Sequence, residues 1–248
     1  MLNYKKGNTI AMIDGGKGDG KILFVNPKII KRDEEEIVLK NGKFLPIPPA
    51  KGRSVVYIAA PSGAGKTTFA AEYIKAYLAI FPEKDFFIFS RTDAKDDKAF
   101  RGMKYSQVKI DKSLIEDPID ITKELTNGCI ILFDDVNTIL DDKIKKEVDK
   151  LMADIMEVGR KLNISIVITN HLVIPNEKKI ARTILNECQS LTVFPKSGSV
   201  QQIRYCLKNY FGYDDKQIKE FLKEDTRWIM FFKSYPQIVL TERKCFIP

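Results

Sequence analysis

The chain has 248 residues, 44% of them hydrophobic and 30% charged, with a formal net charge of +8. Such a chain can bury one good core with modest additions at either end, and its composition is ordinary for a soluble globular protein. Three classes are excluded: no apolar run approaches the roughly 20 residues that span a bilayer, Met1 to Gly7 lacks a secretory apolar segment, and Cys129, Cys188, Cys206 and Cys245 have no paired spacing that would mark a disulfide framework or zinc site.

An intracellular, reduced protein is therefore expected. The charge is uneven. Residues 1–53 hold 11 Lys+Arg against 6 Asp+Glu, a net +5, and residues 196–248 hold 10 against 6, a net +4. The middle of the chain is close to neutral. Basic flanks on a neutral centre suit contact with a polyanion, and solvated surface alone gives the same totals.

In chain order, Thr9 to Ile13, Ile22 to Val25 and Glu36 to Leu39 read as short strands. Asn41-Gly42 reads as a turn, and Pro46-Ile47-Pro48-Pro49 as an extended linker. Residues 1–50 form a small β-rich arm in this reading. Within it, Gly15-Gly16-Lys17-Gly18-Asp19-Gly20-Lys21 has a Gly, four residues, then Gly-Lys. Ile22 follows instead of a hydroxyl residue, and a strand follows instead of a helix, so a hairpin loop is expected.

From Lys51 to about Pro195 strands and helices alternate. Ser54 to Ala59 is an apolar strand. After it, Ala60-Pro61-Ser62-Gly63-Ala64-Gly65-Lys66-Thr67 leads into a helix that begins near Thr68 and reaches about Phe81. A glycine-bearing loop between strand and helix wraps backbone N–H groups around the phosphates of ATP or GTP. The helix N-terminus adds positive potential, Lys66 reaches the terminal phosphates, and the Thr67 hydroxyl can ligate Mg²⁺. Pro61, Ser62, Gly63, Ala64, Gly65, Lys66, Thr67 and Thr68 are the expected nucleotide-binding positions. Ala60 stands where Gly is usual.

Asp85 to Ser90 is the next strand, followed by a short one at Gln107 to Ile110 and a helix near Ile119 to Leu125. Cys129 to Phe133 is a buried strand whose end carries Asp134 and Asp135. The first acid can hold the Mg²⁺ shell and the second can polarise the attacking water. Small kinases and GTP switches usually lack the adjacent acid, so the pair favours hydrolysing, motor-type relatives. Asp135 also suits a helix N-cap, a role that explains Asp134 less well. A long helix is expected from Asp141 to about Leu162.

The strand Ile164 to Thr169 ends in Asn170-His171, where a polar side chain can sense the γ-phosphate or its water; a capping asparagine and an inert loop histidine are the plain alternative. Ser190 to Phe194 completes a parallel sheet covered on both faces. Arg160, Arg182 and Arg91 are candidates for neutralising charge at the γ-phosphate from a neighbouring subunit, in that order; a surface ion pair is the alternative for each. Residues 196–248 form an extension with helices at Val200 to Leu207 and Asp214 to Leu222. A hairpin on the sheet edge follows, Trp228 to Phe232 with Gln237 to Thr241.

The ordered set Ala60 to Phe69, Phe89 to Asp93, Ile131 to Val136, Gly159 to Ser165 and Ile168 to His171 resembles the genome-packaging ATPases of large DNA viruses and virophages. These are similar to the wider FtsK/HerA superfamily of DNA translocases. The resemblance covers roughly residues 52–195. Asp135 replaces the superfamily's common Glu, and Asn170-His171 lies where many relatives place a glutamine sensor.

It implies a three-layer RecA-like (ASCE) P-loop core, ATP and Mg²⁺, and a homo-oligomeric ring around double-stranded DNA. Lys66, Thr67, Asp134 and Asp135 would act in cis and an arginine in trans. Lys95, Lys98, Arg101 and Lys104 would meet DNA phosphates, although Asp93, Asp96 and Asp97 dilute that cluster. Capsid or portal-vertex proteins are further implied partners, and the host cytoplasm, viral factory or virion the implied place. Two rivals remain: a small-molecule or nucleotide kinase, which needs a lid and substrate pocket, and a non-catalytic module that uses ATP to assemble.

Overall fold

The computed structural model describes residues 1–27 and 35–248. At its start, β1 (Leu2–Asn3), β2 (Asn8–Asp14) and β3 (Ile22–Val25) pair antiparallel. The glycine-rich residues 15–21 join β2 to β3 as a hairpin connection, so this second Gly-Lys sequence faces no helix N-terminus. β4 (Glu36–Val38) leaves this group, and β5 (Lys43–Pro46) returns to it, giving the order β1-β3-β2-β5. Pro46, expected in a linker, is paired with Ala11 as the last residue of β5. An edge strand tolerates a residue without an N–H.

The larger sheet begins with β6 (Val55–Ala59) and the helix α1 (Lys66–Ile80). It continues through β7 (Phe86–Ser90), β8 (Ser106–Lys109), the single turn α2 (Ser113–Glu116), β9 (Ile130–Phe133) and α3 (Asp142–Glu157). Then come β10 (Ser165–Asn170), α4 (Lys178–Glu187), β11 (Ser190–Val193), α5 (Val200–Phe211) and α6 (Asp215–Phe221). β12 (Ile229–Phe232), β13 (Ile238–Thr241) and β14 (Lys244–Phe246) end the chain's regular structure. The strand order is β4-β14-β13-β12-β11-β6-β10-β9-β7-β8. From β11 to β8 all neighbours are parallel; from β11 back to β4 all are antiparallel.

Alternation along the buried strands creates two cores. Val55, Tyr57, Ile131, Phe133, Ile166 and Ile168 face one way, into side chains of α3, α4, α5 and α6. Val56, Ile58, Ile130, Leu132 and Val167 face the other, into α1 and the four-stranded sheet. Side chains at period two point to opposite faces, so each strand must be apolar throughout to serve both layers. The result is a three-layer α/β fold around a mostly parallel sheet. Among the described residues, no helix is long and apolar enough to cross a membrane.

Three local expectations are corrected and one unanticipated helix is added. Residues 119–125 form turns, not a helix. There Asp120 accepts from the Thr122 amide at 2.9 Å and Glu124 accepts from the Asp120 amide at 2.7 Å, cap-type bonds around a single turn that Gly128, at φ 74°, follows closely. α3 ends at Glu157, five residues before Leu162, and the turn that follows holds Asn163 at φ 54°. α4 had no capping signature; its first turn lacks a side-chain cap, and only burial of Ile180, Ala181, Ile184 and Leu185 marks its inner face. The C-terminal hairpin is not the sheet edge. β14 and then β4, from the first 50 residues, extend the sheet beyond it.

Candidate active site

β6 is buried along its whole length and delivers the chain to the phosphate loop beside the end of β10, where the Ala60 amide donates to the Asn170 carbonyl at 3.0 Å. The Ala60 methyl is buried in the α1-side core, and Ala60 is not among the residues with positive φ. A Cβ is therefore tolerated there, which accounts for the departure from Gly. Gly63 (φ 76°) and Gly65 (φ 103°) do occupy left-handed backbone, and Gly65 is the N-cap of α1. A glycine cap offers no side chain to the first N–H groups of α1, leaving them for an anion.

Lys66 is only 4% exposed. Its Nζ lies 3.5 Å from the Pro61 carbonyl and 3.4 Å from Asp135 Oδ1. The strand-end acids are thus within one side chain's reach of the loop. Asp134 follows β9, its amide donating to the Phe89 carbonyl of β7 at 2.9 Å, and its Oδ1 accepts from the Thr169 hydroxyl at 2.7 Å. Burial raises the Asp134 carboxyl above its ordinary value, against the lowering effect of Thr169; the neighbouring Asp135 adds to the rise.

Asp135 has φ 47°, a left-handed conformation unusual outside glycine. Its amide donates to Thr169 Oγ1 at 2.8 Å, and its Oδ2 lies 3.1 Å from His171 Nε2. The turn over Val136–Thr138 receives no side-chain cap from Asp135, so this carboxylate is turned toward Lys66 and His171 instead. Thr169, fully buried at the penultimate position of β10, links both acids through one hydroxyl. In sequence it is one more β-branched strand residue, and the polar pair Asn170-His171 that follows carries the clearer signal. Asn170 is buried and its Oδ1 accepts from the Leu172 amide at 3.0 Å, while the His171 amide donates to Asn137 Oδ1 at 3.2 Å. Of the two candidate sensors, His171 touches the acid.

The donor set fits Mg²⁺. Among the described residues there is no cluster of three or more His, Cys, Asp or Glu side chains that would form an all-protein cage. One hydroxyl and one carboxylate, Thr67 and Asp134, match an ion that keeps waters and binds substrate phosphates.

The arginines do not join this group within one chain. Arg160 lies in the turn after α3 and lines a cleft with Lys51, Arg53 and Asn163, at the end where β6 and β10 begin. That is the opposite end of the sheet from the phosphate loop. Arg182 is exposed on α4. Arg91 donates to the Thr138 carbonyl, beside the acid-bearing turn. Lys95, Lys98, Arg101 and Lys104 are exposed between β7 and β8, with Asp93 and Asp97 accepting from the Lys95 and Ala99 amides. An unanticipated residue does reach the loop: Arg227, just before β12, donates from Nη2 to the Ala64 carbonyl at 3.3 Å.

A sequence profile of the ATPase family associated with various cellular activities (AAA) matches residues 56–196, from β6 to just past β11. A Sputnik virophage protein, described as uncharacterized protein V3, is 39% identical over 249 residues, covering 98% of this chain and 96% of its own. Among solved structures, the DNA-packaging ATPase B204 from Sulfolobus turreted icosahedral virus superposes with a TM-score of 0.53 at 9% identity, over 77% of this chain and 97% of that one. The genome-packaging NTPase B204 of Sulfolobus turreted icosahedral virus 2 in complex with AMPPCP gives 0.51 at 10% identity, with the same coverage. The cytoplasmic domain of the Thermomonospora curvata type VII secretion ATPase EccC gives 0.52 at 14% identity, over 89% of this chain and 31% of that one. At such identities the structural likeness is one of fold: the α/β architecture of P-loop ATPases.

Proposed function

The chain belongs to the ATPase family associated with various cellular activities, and from that premise we propose an ATP-hydrolysing motor that translocates double-stranded DNA, packaging a viral genome. The observation that carries the hydrolytic part is the pairing of Asp135 with Lys66 at 3.4 Å and with His171 at 3.1 Å, beside an Asp134 bound to Thr169. A lysine in contact with this acid sets Asp135 beside the position a γ-phosphate would take once Lys66 swings toward the phosphates. The viral cargo is supported by the virophage relative and by a fold shared with the DNA-packaging ATPase B204.

In this reading the loop amides and the α1 N-terminus hold the β-phosphate, and Lys66 exchanges the Pro61 carbonyl and Asp135 for phosphate oxygens. Thr67 and Asp134 would hold Mg²⁺, which neutralises charge on the β- and γ-oxygens when bound. Asp135, freed from Lys66, accepts a proton from the attacking water, and His171 orients its carboxylate. Asn170 fixes the strand tip by holding the loop at Leu172. Arg160 faces away from its own chain's loop, so it would complete a site only on a neighbouring subunit in a ring; Arg182 is the next candidate. Lys95, Lys98, Arg101 and Lys104 would track DNA phosphates, a contact that positions DNA without reading its sequence. Capsid or portal-vertex proteins would receive the motor.

Steady-state phosphate release, measured with and without long duplex DNA, tests the motor. Turnover that duplex DNA increases, with the increase falling steeply as salt rises, is the expected result. Equal turnover with and without DNA across salt concentrations would leave an ATPase and remove the translocase. Transfer of phosphate to a small molecule would replace both with a kinase.

A further inference from the structure

Arg227 is a cation at the positive end of a helix. Its guanidinium donates to the carbonyl of Ala64, one residue before the N-cap of α1, and a Cβ at Gly65 would overlap it. Cations are disfavoured at helix N-termini. Lys66 adds a second positive group on the same loop. Among the described residues no carboxylate lies within ion-pair distance of the Arg227 guanidinium. Glu242, its nearest acidic contact, accepts instead from the Arg227 backbone amide at 3.0 Å and from the Thr226 hydroxyl at 3.4 Å. Glu242 therefore fixes where Arg227 leaves the backbone without neutralising its charge. An arginine held in such surroundings, with most of its five donors unspent, is placed for an anion that comes between it and the helix.

Sheet order decides which part of that anion it meets. The phosphate loop follows β6. On one side lie β10 and β9, whose ends carry His171, Asp134 and Asp135; on the other lie β11 and β12, and Arg227 stands two residues before β12. A triphosphate on the loop must point its γ-end toward the acids, where Lys66 already faces Asp135. Its α-phosphate and nucleoside then point toward β11 and β12. A cleft opens there, lined by Phe44, Thr68, Phe69, Arg227, Trp228 and Glu242. Trp228 and Phe69 meet edge to face at 5.0 Å and form its floor.

We infer that Arg227 binds the α-phosphate of the nucleotide in cis, at the mouth of the small cleft of about 60 Å³ between β5, α1 and Trp228, and that the nucleoside leaves the loop on that side. This rests on the phosphate-loop reading above and adds to it a residue from the last fifty of the chain. The catalytic core and the C-terminal flank then meet at one ligand, with the flank holding the end that is not cleaved.

Calorimetric titration of ADP and of ATPγS with Mg²⁺ into the full chain tests this, with emission from Trp228, the chain's single tryptophan, read in parallel. Because ADP and ATPγS share the α-phosphate, Arg227→Ala weakens both alike, by about tenfold or more. Arg227→Lys falls between, since it keeps charge but loses the planar fork. Arg243→Ala, an exposed arginine in the turn between β13 and β14, leaves both affinities unchanged. Trp228 emission shifts on saturation with either nucleotide. Circular dichroism of Arg227→Ala without nucleotide matches wild type, because this exposed side chain makes one bond. Wild-type affinity for ADP in Arg227→Ala, weakening confined to the triphosphate, or unchanged Trp228 emission on binding would each overturn the inference while leaving the phosphate loop intact. Absence of any binding by the wild type would overturn both together.

Discussion

Strands β11, β6, β10, β9, β7 and β8 run parallel and bring their C-terminal ends to one line, along which the phosphate loop, Asp134, Asp135, Thr169 and His171 are set. Strands β12, β13, β14 and β4 run antiparallel, and they contribute to that line through Arg227 and Trp228, which precede β12, and Glu242, which follows β13. In the parallel half, the buried charged groups at the strand tips and the start of α1 each have a partner: Lys66 has Asp135, and Asp134 has Thr169. The antiparallel half is held by aromatic packing. Phe231 meets Phe211, Tyr213 and Phe221 at 6.2, 5.8 and 5.5 Å between centroids. The difference teaches that one sheet separates chemistry from anchorage: substitutions in one half should change turnover, and in the other, stability.

The largest effect that sharpens this division is Phe231→Ala, which removes a fully buried ring. A loss of about 3–5 kcal/mol in urea unfolding is expected. Lys66→Ala should do the reverse. Phosphate release should fall at least about 100-fold, because in the proposed mechanism this lysine supplies charge where the transferring phosphoryl group develops it. A Lys66→Ala protein that keeps its turnover would break the comparison.

Asp134→Asn gives a smaller and opposite signature. Burial raises this carboxyl, so the fold favours its protonated form. Its favourable contribution is complete below the ordinary carboxylate range and is lost as pH rises through the raised value. At neutral pH the neutral amide should therefore increase the melting temperature of the nucleotide-free protein, while Mg²⁺-dependent nucleotide binding is lost. The gain should shrink as pH is lowered and the wild-type carboxyl takes its own proton. A melting temperature unchanged at neutral pH would contradict the burial argument.

The smallest expected effect is a non-event. All four cysteines are buried, and burial pushes Cys129 and Cys188 up to about 11 and Cys206 to about 12, with Cys245 raised further. A thiol reagent at neutral pH should modify none of them until the protein unfolds. Rapid labelling of Cys245 alone would show that β14 detaches from the sheet.

What the sequence disclosed follows the same boundary. The parallel strands were legible because burial on both faces makes them continuous apolar runs, and the loop because strand, glycines, Gly-Lys-Thr and helix stand together. Asp134 and Asp135 were legible as acids ending such a run. The contacts that organise them were not. Thr169 reads as one more β-branched strand residue until β10 is placed beside β9. Arg227 lies 163 positions from Ala64, and antiparallel pairing of β12 with β11 brings it over the loop. β4 lies in the first 50 residues yet pairs with β14 near the end of the chain, a long-range choice without local sign. α4 was missed because ten residues without a capping side chain give periodicity little to work on.

The most direct measurement is single-turnover hydrolysis of Mg²⁺·ATP by wild type and Asp135→Asn, with binding followed in the same samples. The account predicts that both bind ATP and that the variant releases phosphate at least about 100-fold more slowly, since the amide cannot take the proton of water. Phosphate release by Asp135→Asn at the wild-type rate would contradict it.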